Sequence, residues 1–310
     1  MVAGPLKTPI EDAALRVTPH VRVTPVLRTR LPGLDRDISL KLEQMQHTGS
    51  FKVRGAFNSL TSQAVPQAGV VAASGGNHGA AVAYAARALG HKAHIFVPEA
   101  AGPAKIALIR ETGAELTVLP GVYADVVDAA EAEAARTGAI QIHAYDAPAT
   151  VAGQGTLARE WDLQGLEADT ILVAVGGGGL IAGFLGWFGT TRKVVAVEPE
   201  HCATLHNALK DGPDAETQAS GIGVNALGAR RIGRICHGMA EQFATPGILV
   251  PDAAIAEAQT LLWRSLRQLV EPAGATALAP LLCGAYVPEP DERIAVLVCG
   301  GNIAPDPLAG

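Results

Sequence analysis

One lysine lies where proteins that alternate strands and helices often place reactive groups. Lys52 belongs to residues 50–56, Ser-Phe-Lys-Val-Arg-Gly-Ala. An extended-looking run, residues 38–43, precedes this stretch, and a helical run through Phe57 follows it. α/β folds tend to put chemistry at such strand-to-helix junctions. A lysine amine there can form a Schiff base with a carbonyl group. Most lysines are solvated surface residues, so this interpretation depends on three further stretches.

Consecutive glycines follow an apolar run at 170–175 and precede a helical run that starts at Leu180. They are Gly176, Gly177, Gly178 and Gly179. Glycines let the backbone approach an anion closely, and a helix start presents free N–H groups and the positive end of its dipole. The pattern favours a phosphate cradle over a plain turn. The dinucleotide fingerprint is matched only loosely, because no acidic residue lies about 20 residues on in a matching β-α-β unit, except Glu198 at a strand end.

A second strand-to-helix loop has groups that suit a small carboxylate. It runs from Ser74 to Gly79 and offers a hydroxyl, the Asn77 amide and a helix N-terminus. Helix capping alone would also explain Ser74 or Asn77. His78 has no obvious partner in the sequence, and we interpret it as structural.

The last predicted strand ends at Cys299, which Gly300, Gly301 and Asn302 follow. A thiol at this position could hydrogen-bond a ring nitrogen, although an isolated buried cysteine is more often a small hydrophobe. A reactive lysine, a phosphate cradle, a carboxylate loop and a group for a ring nitrogen are together what a pyridoxal 5'-phosphate (PLP) site needs.

Length, composition and charge restrict the class of protein. The chain has 310 residues, is 48% hydrophobic and carries a net charge of -6, which indicates a globular protein of about two domains. No run of Lys or Arg suggests a nucleic-acid surface. None of the four cysteines forms a C-x-x-C pair, so a zinc site or disulfide framework is not indicated, and a cytoplasmic location is expected. Neither a signal peptide nor a membrane span is predicted, because no uninterrupted apolar stretch reaches about 18 residues.

Apolar runs and helical stretches alternate in two series, one at 69–143 and one from Thr150 onward. Each short apolar run is typical of a buried strand, and the β-α-β order predicts parallel sheets covered by helices. The other predicted segments are a helix at 11–17, irregular chain at 18–37 and 211–247, and helices at 255–270 and 273–282.

Taken in order, these stretches resemble the fold type II PLP enzymes, within them the serine/threonine dehydratase (threonine ammonia-lyase) and serine racemase group. The resemblance covers nearly the whole chain. The matching stretches are Thr24-Pro25, 49–56, 74–79, 153–156, 175–183, Glu271-Pro272 and 299–302.

The resemblance implies an α/β fold of the tryptophan synthase β type, with the cofactor between two parallel-sheet domains. We expect a large PLP-binding domain from residues 1–65 and 147–310, and a small substrate-loop domain from residues 66–146. A homodimer is expected from the family alone. The expected partner is a small amino-acid substrate, with no nucleic acid and no membrane.

The resemblance also assigns roles around the cofactor ring. Lys52 would carry PLP as a Schiff base, and Phe51 would lie against the ring. Asn77 would hydrogen-bond the ring hydroxyl. Cys299 would face the pyridine nitrogen, with Glu271 nearby.

Two further roles concern anions. The phosphate would be bound by the four glycines together with Leu180. The substrate carboxylate would be bound by residues of the second loop, namely Ser74, Gly75, Asn77 and His78.

A departure from some relatives concerns metal. These relatives bind a divalent cation with a glutamate matched by Glu198 and an aspartate six residues later. Position 204 is Thr in this chain. Calcium and magnesium need hard oxygen ligands, usually carboxylates, so we expect no metal site.

The expected reaction is β-elimination from a hydroxy amino acid, L-serine or L-threonine first, which yields a 2-oxo acid and ammonia. This is the chemistry of a lyase in amino-acid metabolism. The alternatives are an amino-acid racemase, a β-replacement or threonine-synthase-like enzyme, and a non-catalytic PLP-binding protein. Gly75 favours elimination over racemisation, because serine racemases carry at the matching position a serine that can protonate the α-carbon, and glycine has no side chain to do so.

Overall fold

The computed structural model describes residues 4–74, 76–101, 103–120 and 123–303, and within these ranges ten strands form two sheets. The strands are β1 (Val26–Thr29), β2 (Ile38–Leu42), β3 (Val70–Ala73), β4 (Ala93–Pro98), β5 (Glu115–Leu119), β6 (Ile140–Gln141), β7 (Thr170–Ala174), β8 (Lys193–Pro199), β9 (Gly247–Val250) and β10 (Ile294–Val298).

Helices cover both sheets. They are α1 (Lys7–Val17), α2 (Lys52–Thr61), α3 (Asn77–Ala88), α4 (Pro103–Glu111), α5 (Tyr123–Thr137), α6 (Pro148–Leu163), α7 (Gly179–Phe188), α8 (Thr204–Asp211), α9 (Val224–Leu227), α10 (Arg234–Gln242), α11 (Asp252–Leu266), α12 (Pro272–Thr276) and α13 (Ala279–Cys283). Single 3₁₀ turns lie at Thr18–His20, Glu43–Met45, His47–Gly49, Glu99–Ala101 and Glu200–Cys202. None of the helices in the described ranges is long and apolar enough to cross a membrane.

The smaller sheet has the order β5-β4-β3-β6, and all its strand pairs are parallel. Side chains of β3 alternate between two cores. Val70 and Ala72 pack in the core that contains the inner face of α3, whereas Val71 and Ala73 pack in the core on the side of α5. Because both faces are covered, every residue of the strand must be apolar.

The larger sheet has the order β1-β2-β10-β7-β8-β9. Its pairs are parallel except for the edge strand β1, which runs antiparallel to β2. Strands β10 and β7 are neighbours, so their carboxyl ends meet at one edge of the sheet. This topology brings the residues after β7 and the residues after β10 together, although they are far apart in the sequence.

Helix α2 passes from the larger sheet to the smaller one. It follows β2 of the larger sheet, yet its inner residues Val53, Phe57 and Leu60 belong to the core of the smaller sheet. Its first residue, Lys52, therefore lies where the two sheets approach each other.

Two segments predicted to be irregular contain regular structure. Residues 18–37 include β1, whose residues are not fully buried and whose pairing with β2 is a tertiary contact. Residues 211–247 include α9 and α10, and β9 begins at Gly247. The start of α10 is capped by Asp146, whose carboxylate accepts the N–H groups of Arg234 and Ile235 at 3.0 Å each. A cap supplied from so far along the chain leaves no local signal.

The helix predicted at 273–282 is two short helices, α12 and α13. Pro280 explains the break, because proline has no N–H to donate to the carbonyl of Thr276 one turn earlier. The helix predicted at 255–270 ends at Leu266, and Arg267 then adopts a left-handed conformation with φ of 57°.

Candidate active site

Main-chain contacts place Lys52 beside the end of β10. Ser50 forms an isolated antiparallel bridge with Gly300, and the N–H of Phe51 donates to the carbonyl of Cys299 at 3.2 Å. Helix α2 begins directly afterwards, at Lys52. The predicted lysine and the predicted cysteine thus lie at the same edge of the larger sheet.

The amine of Lys52 is held inside the cleft at this edge. Its Nζ donates to the carbonyl of Ala144 at 2.9 Å and lies 5.2 Å from the centroid of the Phe51 ring. Burial lowers the pKa of Lys52 to about 8, while the charges of Cys299 and Glu271 act in the opposite direction. At pH 7 roughly one amine in ten is then uncharged, which is what a nucleophile or a base requires.

Arg54 belongs to a buried ion cluster beneath the lysine. Its guanidinium donates to Glu43 at 2.6 Å and to Glu160 at 2.9 Å, and Lys41 donates to Glu160 at 2.6 Å. The side chains of Lys41, Glu43 and Arg54 are at most 1% exposed. Two cations and two carboxylates balance, which buried charges require. The cluster joins β2, α2 and α6 and so fixes the turn that carries Lys52. This role of Arg54 was not predicted from the sequence.

The glycine loop between β7 and α7 has no room for side chains. A Cβ atom on Gly176, Gly177, Gly178 or Gly179 would collide with Leu227, Tyr145, Cys236 and Tyr145, respectively. Gly178 has φ of 89°, a conformation that glycine adopts without strain. The N–H groups of residues 177–180 make no hydrogen bond to any residue that the structure describes. They remain available for an anion at the start of α7.

Asn77 connects the two sheets. It opens α3, and its Nδ2 donates to Oε1 of Glu271 at 2.5 Å. Its Oδ1 accepts from Nδ2 of Asn302 at 2.8 Å, and the same amide of Asn302 donates to the carbonyl of Thr48 at 2.7 Å. The amide orientation of Asn77 is therefore fixed from both ends.

The predicted carboxylate loop contains Ser74, Asn77 and His78 in the described ranges, whereas Gly75 lies outside them. The hydroxyl of Ser74 accepts the N–H of Gly76 at 3.2 Å. His78 is buried, with Nε2 at 2.8 Å from the carbonyl of Ile142. Burial and the nearby charge of Lys52 lower the pKa of His78 to about 3. The imidazole is neutral at physiological pH and cannot supply a positive charge to a carboxylate.

Cys299 is buried, and its thiol donates to the carbonyl of Ala273 at 3.3 Å. Burial raises the pKa of the thiol well above its ordinary value, and the negative charge of Glu271 adds to the effect. Cys299 therefore presents a neutral thiol at neutral pH.

Lys52, Phe51, Asn77, the glycine loop, Glu271 and Cys299 line one cleft of about 460 Å³ including its open mouth. Ser74 and His78 of the predicted carboxylate loop are not among its walls. Its walls are formed by Phe51, Lys52, Asn77, Tyr145, Ala174, Gly176, Gly177, Gly178, Gly179, Leu180, Ala226, Leu227, Glu271, Ala273 and Cys299. The wall residues that were not predicted are Tyr145, Ala174, Ala226, Leu227 and Ala273. Tyr145 follows the predicted strand at 140–143, so its place at a carboxyl strand end was a usable signal. Ala226 and Leu227 lie in the segment predicted to be irregular and gave no signal.

The residues of this cleft fit PLP. The lysine amine suits its aldehyde, and the free N–H groups of the glycine loop suit its phosphate. The amide of Asn77 suits a hydroxyl, and the neutral thiol of Cys299 suits a ring nitrogen. The collisions that a Cβ atom would meet in the glycine loop explain why this cradle must be glycine.

Both carboxylate oxygens of Glu198 accept hydrogen bonds from residues at the start of α8. Its carboxylate accepts the N–H of Leu205 at 2.7 Å and the N–H of His206 at 2.9 Å, and it lies 3.2 Å from the hydroxyl of Thr204. Within the described ranges, no group of three or more His, Cys, Asp or Glu side chains could hold a metal ion.

The fold and the cleft together define a PLP-dependent enzyme of fold type II. Residues 17–300 match the family model described as "Pyridoxal-phosphate dependent enzyme", so the chain belongs to that family.

Relatives with known activities match most of the chain. The phenylserine dehydratase of Ralstonia pickettii is 33% identical over 298 residues, which cover 93% of this chain and 90% of that protein. The L-threonine ammonia-lyase of Geobacter sulfurreducens is 35% identical over 309 residues, which cover 96% of this chain and 75% of that protein.

Solved structures show the same fold. Maize serine racemase has a TM-score of 0.89 and 30% identity, with 97% of this chain and 94% of that chain covered. A threonine deaminase from T.th. has a TM-score of 0.88 and 33% identity, with 96% of this chain and 98% of that chain covered. The comparisons confirm the predicted fold class, the PLP cofactor and a PLP-dependent lyase of the ammonia-lyase type.

Proposed function

We propose that this enzyme dehydrates and deaminates L-serine, L-threonine or a related hydroxy amino acid, which gives a 2-oxo acid and ammonia. The dehydratase and ammonia-lyase relatives support this reaction. The observation that carries the proposal is the amine of Lys52, with its pKa lowered to about 8, in the same cleft as the glycine loop and Asn77.

Each part of the cofactor has a group that would hold it. Lys52 would carry PLP, and Phe51 would lie against the ring. The N–H groups of the glycine loop and Leu180 would bind the phosphate. Asn77, with Glu271 behind it, would bind the ring hydroxyl, and Cys299 would face the ring nitrogen. When bound, PLP supplies an electron sink for negative charge at the α-carbon of the substrate.

Lys52 is the group that moves protons. Its uncharged amine takes the α-proton, and the carbonyl of Ala144, 2.9 Å from Nζ, orients the amine. The β-hydroxyl then leaves as water with the proton that Lys52 has taken from the α-carbon. Because the pKa is lowered by burial, the amine regains its neutral form near pH 8 without a second base.

Cys299 favours elimination through its neutrality. A thiol with a raised pKa is too weak an acid to protonate a ring nitrogen, whereas a buried carboxylic acid could. A weaker electron sink shortens the life of the negative charge at the α-carbon. Prompt loss of a leaving group is then favoured over reprotonation.

Neutral donors bind the substrate carboxylate in this proposal. Ser74 and Asn77 supply a hydroxyl and an amide, and the start of α3 supplies N–H groups. His78 is neutral and hydrogen-bonded to Ile142, so it would position the loop rather than pair with the carboxylate. Gly75 belongs to the predicted set but lies outside the described residues.

A substrate panel tests the proposal. The purified enzyme is incubated with L-serine, L-threonine, L-threo-phenylserine and their D-isomers, and 2-oxo acid release is measured. We expect release from at least one L-isomer and none from Lys52→Ala that has been loaded with PLP. Absence of 2-oxo acid with every substrate, despite a bound cofactor, would leave the non-catalytic alternative. Serine plus sulfide tests β-replacement, which would give cysteine instead.

A serine racemase is the second candidate, because maize serine racemase is a close structural match. Chiral analysis of L-serine during turnover separates the two. D-serine formed faster than pyruvate would favour the racemase.

The proposal also includes the domain boundaries, the oligomeric state and the cellular location. We propose that residues 66–146 form the small domain, since β3 to β6 all lie in this stretch, and that residues 1–65 and 147–310 form the large one. We also propose a homodimer and a cytoplasmic location, which size measurement and fractionation of cells would test.

A further inference from the structure

The glycine loop must keep its N–H groups pointed in one direction, although glycine permits many backbone conformations. In a trans peptide the C=O of one residue and the N–H of the next point in opposite directions. Holding a carbonyl on one side of the loop therefore directs the next N–H to the other side. The partners of the loop carbonyls decide whether the loop is fixed in this way.

Successive carbonyls of the loop each have a partner outside the cleft. The carbonyl of Gly176 accepts from the hydroxyl of Thr204 at 2.6 Å. The carbonyl of Gly177 accepts from the N–H of Gly233 at 3.0 Å, and that of Gly178 from the N–H of Ala182 at 2.9 Å. Of these three donors, the Thr204 hydroxyl belongs to a side chain, whereas the other two are main-chain N–H groups.

Thr204 is well placed for this purpose. It is fully buried and begins α8. It is not one of the described residues that form the walls of the cleft. Glu198 fixes the start of α8 by accepting the N–H groups of Leu205 and His206. A buried carboxylate therefore holds the helix, and the helix holds the hydroxyl against Gly176.

We infer that Thr204 is a positioning residue for the phosphate site: its hydroxyl locks the peptide between Gly176 and Gly177 so that the N–H of Gly177 faces the cleft. Asp146 supports the neighbouring peptide in the same way, because it caps α10, and Gly233 directly before that helix donates to Gly177. This inference rests on the proposed role of the glycine loop as the phosphate site.

The test compares two ligands that differ by the phosphate alone. Apoenzyme is titrated with PLP and with pyridoxal, and the dissociation constants are read from the visible Schiff-base absorbance. Thr204→Val removes the hydroxyl at similar volume, and Thr204→Ser keeps it. We expect Thr204→Val to weaken PLP binding about tenfold or more and pyridoxal binding less than about twofold. Thr204→Ser should restore PLP affinity to within about threefold of the wild type.

A second measurement uses inorganic phosphate as the ligand, which cannot form a Schiff base. Inorganic phosphate should raise the melting temperature of wild-type and Thr204→Ser apoenzyme, and should do so much less for Thr204→Val. If Thr204→Val does not fold, Thr204→Ala replaces it, with Thr204→Ser as the control and the same criterion.

The outcomes distinguish failure of the positioning role of Thr204 from failure of the phosphate site. Equal losses for PLP and pyridoxal, or no loss for either, would overturn the positioning role of Thr204. A wild-type protein that binds PLP no more tightly than pyridoxal would instead overturn the phosphate site itself. Neither result depends on turnover, so failure of the proposed reaction would be seen separately.

Discussion

The amide of Asn77 donates to the carboxylate of Glu271 at 2.5 Å, and this bond joins the helix after β3 of the smaller sheet to the segment before α12 on the larger one. Asn302 fixes the other end of the amide, since it donates to Oδ1 of Asn77 at 2.8 Å. One side of the cleft is thus formed by polar side chains that hydrogen-bond to one another, with Asn77 bonded to both Glu271 and Asn302.

Asn77→Asp should weaken cofactor binding. It removes the donor to Glu271 and places a second carboxylate beside the first, and like charges at this distance force the pair to hold an extra proton. We expect the dissociation constant for PLP to rise about tenfold or more at pH 8, measured by absorbance titration of the apoenzyme. Asn207→Asp on α8, outside the cleft, is the matched control for added charge. Unchanged affinity in Asn77→Asp would contradict the role of this bond.

Arg54→Ala should destabilise the fold strongly. Its removal leaves Glu43 fully buried without its cation and Glu160 with Lys41 alone. Breaking a buried ion pair by removing one partner costs about 3–5 kcal/mol. The free energy of unfolding is measured in urea on the apoenzyme.

The control for Arg54 is Arg28→Ala. Arg28 pairs with Glu167 at 3.0 Å, but both side chains are more than half exposed, so the cost should be below about 1 kcal/mol. Similar losses in the two variants would show that the buried cluster adds nothing beyond an ordinary surface pair.

The place of Lys52 in the cleft could be predicted because its signals are local. The glycine loop and Cys299 each follow an apolar strand closely, and Lys52 begins the helix that comes after β2. Parallel strands bring such positions to one edge. The cap of α10 by Asp146 and the cluster around Arg54 could not be predicted. Each depends on residues that are distant in sequence and meet only after the sheets have formed. Tyr145 is an intermediate case. The sequence predicts its position after a strand, but not its contact with Gly177.

Reaction of apoenzyme with PLP should accelerate with pH around the lowered pKa of Lys52. The charged form is disfavoured by burial, so the uncharged amine is populated as the pH rises through about 8. At pH 7 the uncharged fraction is roughly 300-fold larger than for an ordinary lysine. Stopped-flow absorbance should give a rate that rises tenfold per pH unit below pH 8 and levels off above it. A rate that still rises steeply at pH 9.5 would show an unperturbed amine.

Glu198 should make the apoenzyme less stable as the pH rises from about 4.5 to about 7. Burial raises the pKa of Glu198 to about 7, so the folded state binds a proton that the unfolded state has already lost in this window. The contribution is fully present below pH 4.5 and is lost by pH 7, with a size of about 3 kcal/mol. Urea unfolding of wild type and Glu198→Gln across this range measures it. The difference between the two proteins should change with pH in this sense, and a constant difference would contradict it.

The balance between elimination and racemisation should depend on Gly75. A racemase needs an acid on the face of the α-carbon opposite the lysine, and general acid catalysis contributes on the order of 100- to 10,000-fold when a group lies within about 3 Å of the accepting atom. Glycine supplies none, so Lys52 returns the proton only to the face from which it came and the L-configuration is kept. Gly75→Ser should raise the ratio of D-serine to pyruvate formed from L-serine, measured by chiral chromatography. Gly76→Ser, one residue further along the same loop, controls for an added hydroxyl. Abundant D-serine from the unmodified enzyme would refute this account, because some other group would then have to protonate the second face.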